Sequence, residues 1–272
     1  METDLRPYRS VLYIPGSKER ALDKARGLAC DAIIFDLEDA VTPDAKGAAR
    51  DTLKAALEAD GYGERAKIIR INGLDTEWGA DDVATLKDAR AHAMLLPKVN
   101  SVADVEALDA LMGETMDIWC MIETPLGVFN ALEIAAHPRV KGFVAGTNDL
   151  AKELNCRARA DRLPMMFALQ QMLLAARAHG VICVDGVYNQ YLDEEGLAAE
   201  CEEGRDLGFD GKTLIHPAQV AGANMAFAPS EAEIALARRQ IEAHEEIERT
   251  GQGVAVVDGK IVENLHVETA KK

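Results

Sequence analysis

The chain has 272 residues, 48% of them apolar, a length and composition suited to one large globular α/β domain. Its 46 acidic and 30 basic residues give a formal charge of −16, which argues against nucleic acids and anionic membranes as partners because both bind basic surfaces. No apolar run approaches the roughly 18 residues of a membrane span, so we expect no membrane segment.

Two further features concern the cellular compartment. The N-terminal segment METDLRPYRS is polar and acidic, which predicts the absence of a secretory signal. The five cysteines are scattered without a C-x-x-C spacing, and Cys120 and Cys183 lie in apolar runs where a thiol acts as a small core residue. We therefore expect a cytoplasmic protein with reduced thiols.

Short apolar runs alternate with segments of helical period through most of the chain. The runs typical of strands are residues 10–15, 32–37, 67–71, 93–99, 118–123, 142–146, 181–186 and 212–217. Strands that alternate with helices pair in parallel, so this order predicts a (β/α)8 barrel of the TIM type. A doubly wound open sheet is the alternative, but YIPGSKER has a single glycine and no dinucleotide-binding fingerprint is present.

The pattern changes after the eighth strand. SEAEIALARRQIEAHEEIERT predicts one long charged helix, and Asp258-Gly259 between two apolar runs predicts a two-residue hairpin. We expect a catalytic barrel domain over residues 1–228 and a C-terminal helix and hairpin lid over residues 229–272.

Polar side chains lie at the carboxyl end of every predicted strand. They are Ser17, Asp36, Glu38, Asp39, Arg70, Asn72, Lys98, Glu123, Thr124, Asn148, Asp149, Asp185 and His216. In a barrel the carboxyl ends of all strands meet at one rim, where enzymes of this fold have their active sites. The sequence therefore predicts an active site at that rim.

Carboxylates outnumber basic residues at this rim, where Arg70 and Lys98 are the nearby cations. A divalent cation that prefers oxygen ligands would compensate the excess negative charge. Zinc is less suited because no histidine and cysteine cluster has ligand spacing and His216 stands alone. We expect Mg²⁺, with Mn²⁺ as a chemical substitute.

Some of these carboxylates could instead cap helices. Asp39, Thr42 or Asp44 could cap the helix that follows the second strand, and Asp149 could cap the segment LAKEL. Glu123 precedes Thr-Pro and has no evident capping role, which favours a functional one.

Arg70 and His216 also have structural alternatives. Arg70 could be an ion-pair partner of Asp36 or Glu38, or it could bind a substrate carboxylate through its guanidinium fork. A histidine before proline, as His216 is, is more typical of a hydrogen-bonded rim residue than of a catalyst.

A set of motifs in one order points to a known family. The motifs are RSVLYIPGS, FDLEDAV, RINGLDT, LLPKV, IETPLGV, GTNDLAKEL, DGVYN and KTLIHPAQV. From about Arg9 to Val267 the chain resembles the citrate lyase β-subunit-like (CitE-like) branch of the HpcH/HpaI aldolase superfamily, which includes malyl-CoA lyases and malyl-CoA thioesterases. The resemblance implies a (β/α)8 barrel in homotrimers or hexamers, with a C-terminal lid that covers the site of a neighbouring subunit.

The resemblance also implies a metal site. Glu123 of IETP and Asp149 of TNDL would bind Mg²⁺. Asp36, Glu38 and Asp39 of DLED would hold metal-bound waters.

Other matching positions imply substrate contacts. Arg70 of RING would act in catalysis and bind the carboxylate or keto-acid end of the substrate, and the backbone of Gly146, Thr147 and Asn148 would contact the same end. The region RSVLYIPGS would border CoA, which enters as part of the substrate.

The lid departs from the family pattern at one position. Family lyases carry a motif similar to G-x-M-I-D, whose aspartate serves in acid–base catalysis, whereas GKIVEN places Glu263 there. The extra methylene displaces the carboxylate by about one bond length, and small misplacements can cost about 10²-fold in rate. Glutamate in place of aspartate therefore weakens the prediction of carbon–carbon cleavage and favours thioester hydrolysis.

The expected activity is that of a Mg²⁺-dependent CoA-ester lyase. It would cleave a small carboxylated 3-hydroxyacyl-CoA, of the malyl-CoA or citryl-CoA type, to acetyl-CoA and a 2-oxo acid, with Glu263 transferring the proton. One alternative is a (3S)-malyl-CoA thioesterase that uses the same site, and another is an aldolase for free 2-oxo acids. A third is a subunit of a citrate lyase-like complex that acts with an acyl-carrier protein.

Overall fold

The structure, a computed structural model, describes residues 6–251 and 253–271. Eight parallel strands pair in chain order and the last pairs with the first, so the sheet closes into a barrel. The strands are β1 (Ser10–Pro15), β2 (Ala32–Asp36), β3 (Ala66–Arg70), β4 (Ala93–Leu96), β5 (Asp117–Ile122), β6 (Val140–Ala145), β7 (Ile182–Asp185) and β8 (Gly211–Leu214). The predicted (β/α)8 fold is confirmed.

Helices connect the strands around the outside of the barrel. They are α1 (Glu19–Ala25), α2 (Lys46–Ala59), α3 (Gly79–Leu86), α4 (Val102–Met112), α5 (Pro125–Phe129), α6 (Ala131–Ala136), α7 (Thr147–Glu153), α8 (Met166–His179), α9 (Glu194–Leu207) and α10 (Val220–Ala226). Helix α2 shows why these segments are helical, because Ala49, Leu53 and Leu57 recur every four residues and form its buried face.

The strands are mostly apolar because both of their faces are buried. In β2, Ile33 and Phe35 pack in the layer between barrel and helices, whereas Ala32 and Ile34 pack inside the barrel. Tyr13 of β1 packs against this interior core. Residues at the strand ends are thereby held on a densely packed base.

The chain divides into two compact units, one that ends at Phe227 and one that begins at Ala228. The second contains α11 (Glu231–Thr250), β9 (Val256–Val257), β10 (Lys260–Ile261) and α12 (Asn264–Lys271). Asp258 and Gly259 have φ of 51° and 74°, the left-handed values that a two-residue hairpin turn requires, so the predicted hairpin is present.

The second unit has a small core of its own. Ala255, Val262 and Val267 are buried in it, and Ile241 and Ile247 of α11 pack against them. The assignment of residues 1–228 and 229–272 to a catalytic domain and a lid stays a prediction, and its outer limits at 1 and 272 lie outside the described residues.

The cysteine and membrane predictions can be compared with the structure. All five cysteines are free thiols, and Cys120 and Cys183 are fully buried, as expected for core residues. Over residues 6–251 and 253–271, no helix is both long and apolar enough to cross a membrane.

Candidate active site

A cavity of about 330 Å³ lies among the carboxyl ends of the strands. The predicted site residues that line it are Asp36, Asp39, Arg70, Glu123, Gly146, Thr147, Asn148 and Asp149. Glu38 is not among the lining residues but contacts Arg70, and Glu263 belongs to the second unit.

Arg70 is bound by the acidic loop that follows β2. Its Nε and Nη2 donate to the two carboxylate oxygens of Asp36 at 2.8 and 2.6 Å, a bidentate pair, and the register of β2 with β3 places these residues side by side. Nη1 lies 2.8 Å from Oε2 of Glu38 and 3.4 Å from Oδ2 of Asp39. These contacts correspond to the ion-pair alternative for Arg70, and its binding of substrate stays a prediction.

Asp36 also orders the backbone of this loop. Its Oδ1 accepts a hydrogen bond from the N–H of Glu38 at 2.9 Å, and its Oδ2 accepts one from the N–H of Ala40 at 3.1 Å. With the two bonds from Arg70, each oxygen of Asp36 accepts two hydrogen bonds. Asp36 therefore positions Glu38 and Asp39, whose part in holding metal-bound waters stays a prediction.

Two more residues hold the same loop: Lys46, which the sequence did not identify, and Asn72, one of the predicted rim residues. Nζ of the buried Lys46 donates to the carbonyls of Leu37 and Glu38 at 3.0 and 2.9 Å. Asn72 donates to the Leu37 carbonyl at 3.1 Å and is itself held by Asp82. Lys46 lies in an amphipathic helical segment, where a lysine is normally exposed, so the sequence pattern did not indicate that it is buried and binds the loop.

Lys98 connects Glu123 with the acidic loop. Its backbone N–H donates to Oε1 of Glu123 at 2.7 Å, while its Nζ donates to Oε1 of Glu38 at 2.8 Å. Lys98 has φ of 52°, a left-handed value uncommon outside glycine. The loop after β4 thus adopts an uncommon backbone conformation at the residue that binds both carboxylates.

Glu123 and Asp149 form no ion pair with a basic side chain in the part of the chain that the structure describes. Burial raises the pKa of Glu123 to about 8, assisted by the negative charges of Glu38 and Asp149 and opposed by the hydrogen bond from Lys98. Among the described residues, none donates a hydrogen bond to Oε2 of Glu123, and Asp149 forms no ion pair. The cavity therefore presents carboxylate oxygens that the protein does not neutralise.

This donor set fits Mg²⁺. The ion commonly takes one or two protein carboxylates and keeps several waters. A Cβ at Gly146 would lie 2.3 Å from Cβ and 2.5 Å from Oε2 of Glu123, so the glycine leaves the room that the Glu123 side chain occupies. The described part of the chain contains no group of three or more His, Cys, Asp and Glu side chains that could hold a metal ion, which disfavours a site made of protein ligands alone.

The segment after β6 leads directly into α7. Gly146, Thr147 and Asn148 line the cavity there, and the side-chain amides of Asn148 and Asn189 pair at 2.8 and 3.3 Å. Asp149 lies within the first turn of α7, after the capping position, so it does not cap this helix.

The other structural alternatives have clear outcomes. Thr42 precedes a short 3₁₀ turn, Pro43–Ala45, without a side-chain capping bond, and neither Asp39 nor Asp44 occupies a capping position. His216 accepts a hydrogen bond from the N–H of Ala218 at 3.2 Å, which is the structural role that its sequence context favoured.

Asp185 is paired with two buried cations and, like Glu38, does not line the cavity. It accepts hydrogen bonds from Nζ of Lys212 at 3.0 Å and from Nη1 of Arg162 at 2.7 and 2.8 Å. Lys212 also donates to Glu200 at 2.6 Å, and Arg162 also donates to Glu203 at 2.7 Å. Although burial disfavours its ionisation, Lys212 and Arg162 hold the pKa of Asp185 below its ordinary value.

Several cavity residues were not identified from the sequence, including Tyr13, Met121 and Thr213. The alternation of side chains in β1 could have indicated Tyr13, because it lies two residues after Val11 and so shares its face toward the barrel interior.

Glu263 follows β10 in the second unit and is exposed. Its backbone N–H donates to Nδ1 of His266 at 2.9 Å. Its catalytic role stays a prediction.

Comparison with known proteins gives consistent findings. Residues 9–217 match the family model of the HpcH/HpaI aldolase/citrate lyase family. A (3S)-malyl-CoA thioesterase of Cereibacter sphaeroides is 65% identical over 266 residues, which cover 98% of this chain and 93% of the relative.

More distant relatives agree with this match. Citrate lyase subunit beta of Escherichia coli is 34% identical over 98% of this chain and 92% of its own. The crystal structure of CitE from Mycobacterium tuberculosis in complex with magnesium, acetoacetate and coenzyme A is similar to the present fold with a TM-score of 0.79, at 30% identity over 97% of this chain and 95% of that one.

Proposed function

The chain belongs to the HpcH/HpaI aldolase/citrate lyase family, and from this premise we propose that it is a Mg²⁺-dependent (3S)-malyl-CoA thioesterase. It is an enzyme, as its relatives are. The observation that carries the proposal is the 65% identity, over nearly the whole chain, to a (3S)-malyl-CoA thioesterase. The sequence alone favoured carbon–carbon cleavage with hydrolysis as the alternative, and the relatives support the alternative better.

We propose Glu123 and Asp149 as the metal ligands. Their unpaired carboxylates in the cavity and the raised pKa of Glu123 support this assignment, because a bound cation would stabilise the ionised acids. Mg²⁺ at this position would supply positive charge for the oxygens of the substrate's carboxylate and hydroxyl groups.

The size of the cavity supports a small acyl group as the part of the substrate that enters. A space of about 330 Å³ suits a malyl group, whereas the CoA moiety has to extend outward, and we assign the end of the region RSVLYIPGS, after Tyr13, as its border. Arg70 and the backbone of Gly146, Thr147 and Asn148 would face the carboxylate end of the acyl group.

The proposed reaction consumes one water. Its oxygen attacks the thioester carbonyl carbon, the carbon–sulfur bond breaks, and malate and the CoA thiol are formed. We assign Glu263 as the carboxylate that accepts the proton from water and returns it to the leaving thiolate. Glutamate can fulfil this role even though it replaces the aspartate of the lyase motif.

We propose a homo-oligomer, a trimer or hexamer, in which the lid of one subunit covers the site of its neighbour. Large apolar side chains on α5, α6 and α8 are exposed, which supports burial of this face in an assembly. They are Leu126, Phe129, Leu132, Phe167 and Leu174.

Product analysis tests the proposed activity. The protein is incubated with (3S)-malyl-CoA and Mg²⁺, and the products are identified by mass spectrometry. We expect malate and free CoA, formed only after Mg²⁺ is restored to an EDTA-treated sample. Acetyl-CoA and glyoxylate would show that the enzyme is a lyase, and full activity in EDTA would contradict the metal assignment.

A further inference from the structure

A tyrosine hydroxyl in the cavity has no hydrogen-bond partner among the described residues. Tyr13 lies in β1, lines the cavity and packs on the interior core of the barrel. Its Oη atom is buried, and none of the described residues donates to it or accepts from it. A buried hydroxyl without a partner is unfavourable, so a ligand in the cavity that accepts its proton would be stabilised.

Arg70, which lies beside Tyr13, is positively charged, but most of its N–H groups already have hydrogen-bond acceptors. The guanidinium carbon of Arg70 lies 5.0 Å from the centroid of the Tyr13 ring, a cation–π arrangement. The N–H groups of Arg70 already bind Asp36 and Glu38. An anion attracted by Arg70 would therefore find the hydroxyl of Tyr13 as an unoccupied donor beside it.

The hydroxyl remains protonated at ordinary pH. Burial raises the pKa of Tyr13 well above its usual value, and the charges of Asp36 and Glu123 act in the same direction against the effect of Arg70. Tyr13 is thus a hydrogen-bond donor in need of an acceptor.

We propose that Tyr13 is a substrate-binding residue whose hydroxyl donates a hydrogen bond to the carboxylate of the substrate's acyl group. This inference rests on the proposed function. Tyr13 packs on the interior core and lies beside Arg70, which we assign to the carboxylate end of the acyl group. The CoA moiety has to remain outside, so the thioester lies toward the opening and the far end of the acyl group, its carboxylate, toward Tyr13.

Tyr13→Phe tests the inference, because it removes one oxygen and keeps the ring beside Arg70. We expect KM for (3S)-malyl-CoA to rise about 10- to 100-fold, the range for a lost hydrogen bond to a charged group, with kcat within about threefold of wild type. A fall in kcat at unchanged KM would place the hydroxyl at the reacting carbonyl and overturn the inference, as would unchanged kinetics.

Calorimetric binding of L-malate in the presence of Mg²⁺ separates this inference from the proposed activity. In one outcome, wild type binds malate but does not hydrolyse malyl-CoA, and Tyr13→Phe weakens malate binding by a similar factor. The proposed function then fails and the inference stands. If wild type hydrolyses malyl-CoA and the variant matches it in KM and malate affinity, the inference fails and the function stands. A wild type that binds no malate overturns the inference.

Tyr62→Phe is the matched control. Tyr62 is fully buried, whereas Tyr13 is partly buried; the Tyr62 hydroxyl donates to the Leu22 carbonyl at 3.3 Å, and its ring packs between barrel and helices, outside the cavity. We expect wild-type KM and malate affinity for this variant. An equal change in both variants would assign the Tyr13 effect to general loss of packing and overturn the inference.

Discussion

Carboxylates at the ends of β5 and β7 occupy equivalent places in the fold but have opposite electrostatic surroundings. Asp185, at the end of β7, is fully buried and bound by Lys212 and Arg162. Glu123, just after β5, is 2% exposed and accepts a hydrogen bond from a backbone N–H, but forms no ion pair with any of the described basic residues. The comparison teaches that a buried acid is structural where the protein supplies its counter-charge, and is available to a ligand where it does not.

The two pKa values express this difference. The pKa of Asp185 lies below its ordinary value in spite of complete burial, whereas that of Glu123 is raised to about 8. Ionised Asp185 therefore stabilises the fold, and ionised Glu123 destabilises it until a cation binds. Removing charge at the two sites should change the free energy of unfolding in opposite directions.

The largest effect is expected in the paired region. Lys212→Met removes a fully buried cation and leaves Asp185 and Glu200 with one partner fewer. We expect the free energy of unfolding to fall by about 3–5 kcal/mol in urea denaturation, because breaking a buried ion pair leaves an uncompensated charge.

A pair at the surface provides the control for Lys212→Met. Arg177 binds Asp210 at 2.9 Å with its side chain 45% exposed, so Arg177→Gln should cost within about 1 kcal/mol. A similar, small loss for Lys212→Met would contradict a structural role for the network.

A smaller effect of opposite sign is expected in the unpaired region. Glu123→Gln keeps an oxygen that can accept the Lys98 N–H but removes the charge. At pH 8 in EDTA we expect the free energy of unfolding to rise by about 1–3 kcal/mol, since a tenfold change in the acidity constant corresponds to about 1.4 kcal/mol and water in the cavity screens part of it.

The same variant should no longer respond to Mg²⁺. Wild type should gain thermal stability on addition of the ion, whereas Glu123→Gln should not, and it should lose hydrolytic activity. A destabilised Glu123→Gln that still binds Mg²⁺ would place Glu123 among the structural carboxylates, together with Asp185.

The raised pKa of Glu123 also makes stability depend on pH. Glu123 holds its proton in the folded protein up to about pH 8, whereas the unfolded chain releases it near the ordinary value of 4.5. Between these values the folded state binds more protons, so the stability of the metal-free protein should decrease as pH rises. The raised pKa of Glu38, which burial causes, acts in the same direction.

Calorimetry can measure this linkage directly. Binding of Mg²⁺ at pH 7 should release about one proton, detected as a dependence of the binding enthalpy on the ionisation enthalpy of the buffer. Stability that is constant from pH 5 to 8, with no proton release, would show that Glu123 is ionised without the metal.

Much of the fold could be predicted because its signals are local. Runs such as AIIF are apolar at every position because both faces of a barrel strand are buried, and such a run is visible in the sequence. The cap at Ser230 and the left-handed Gly251 delimit α11 in the same local way. The polar residues at strand ends followed from the fold, since a parallel barrel gathers them at one rim.

The sequence by itself thus determined the barrel, the family and most of the residues around the cavity. Only the tertiary structure decided which acids are paired, because the partners are distant in the sequence. Asp36 and Arg70 are 34 residues apart and come together through strand register, and Asp185 and Lys212 are 27 residues apart. The same holds for Tyr13, whose hydroxyl has no described partner only because of what surrounds it in the barrel. Periodicity and capping act over a few residues, whereas counter-charge and hydrogen-bond satisfaction depend on neighbours that the closure of the barrel brings together.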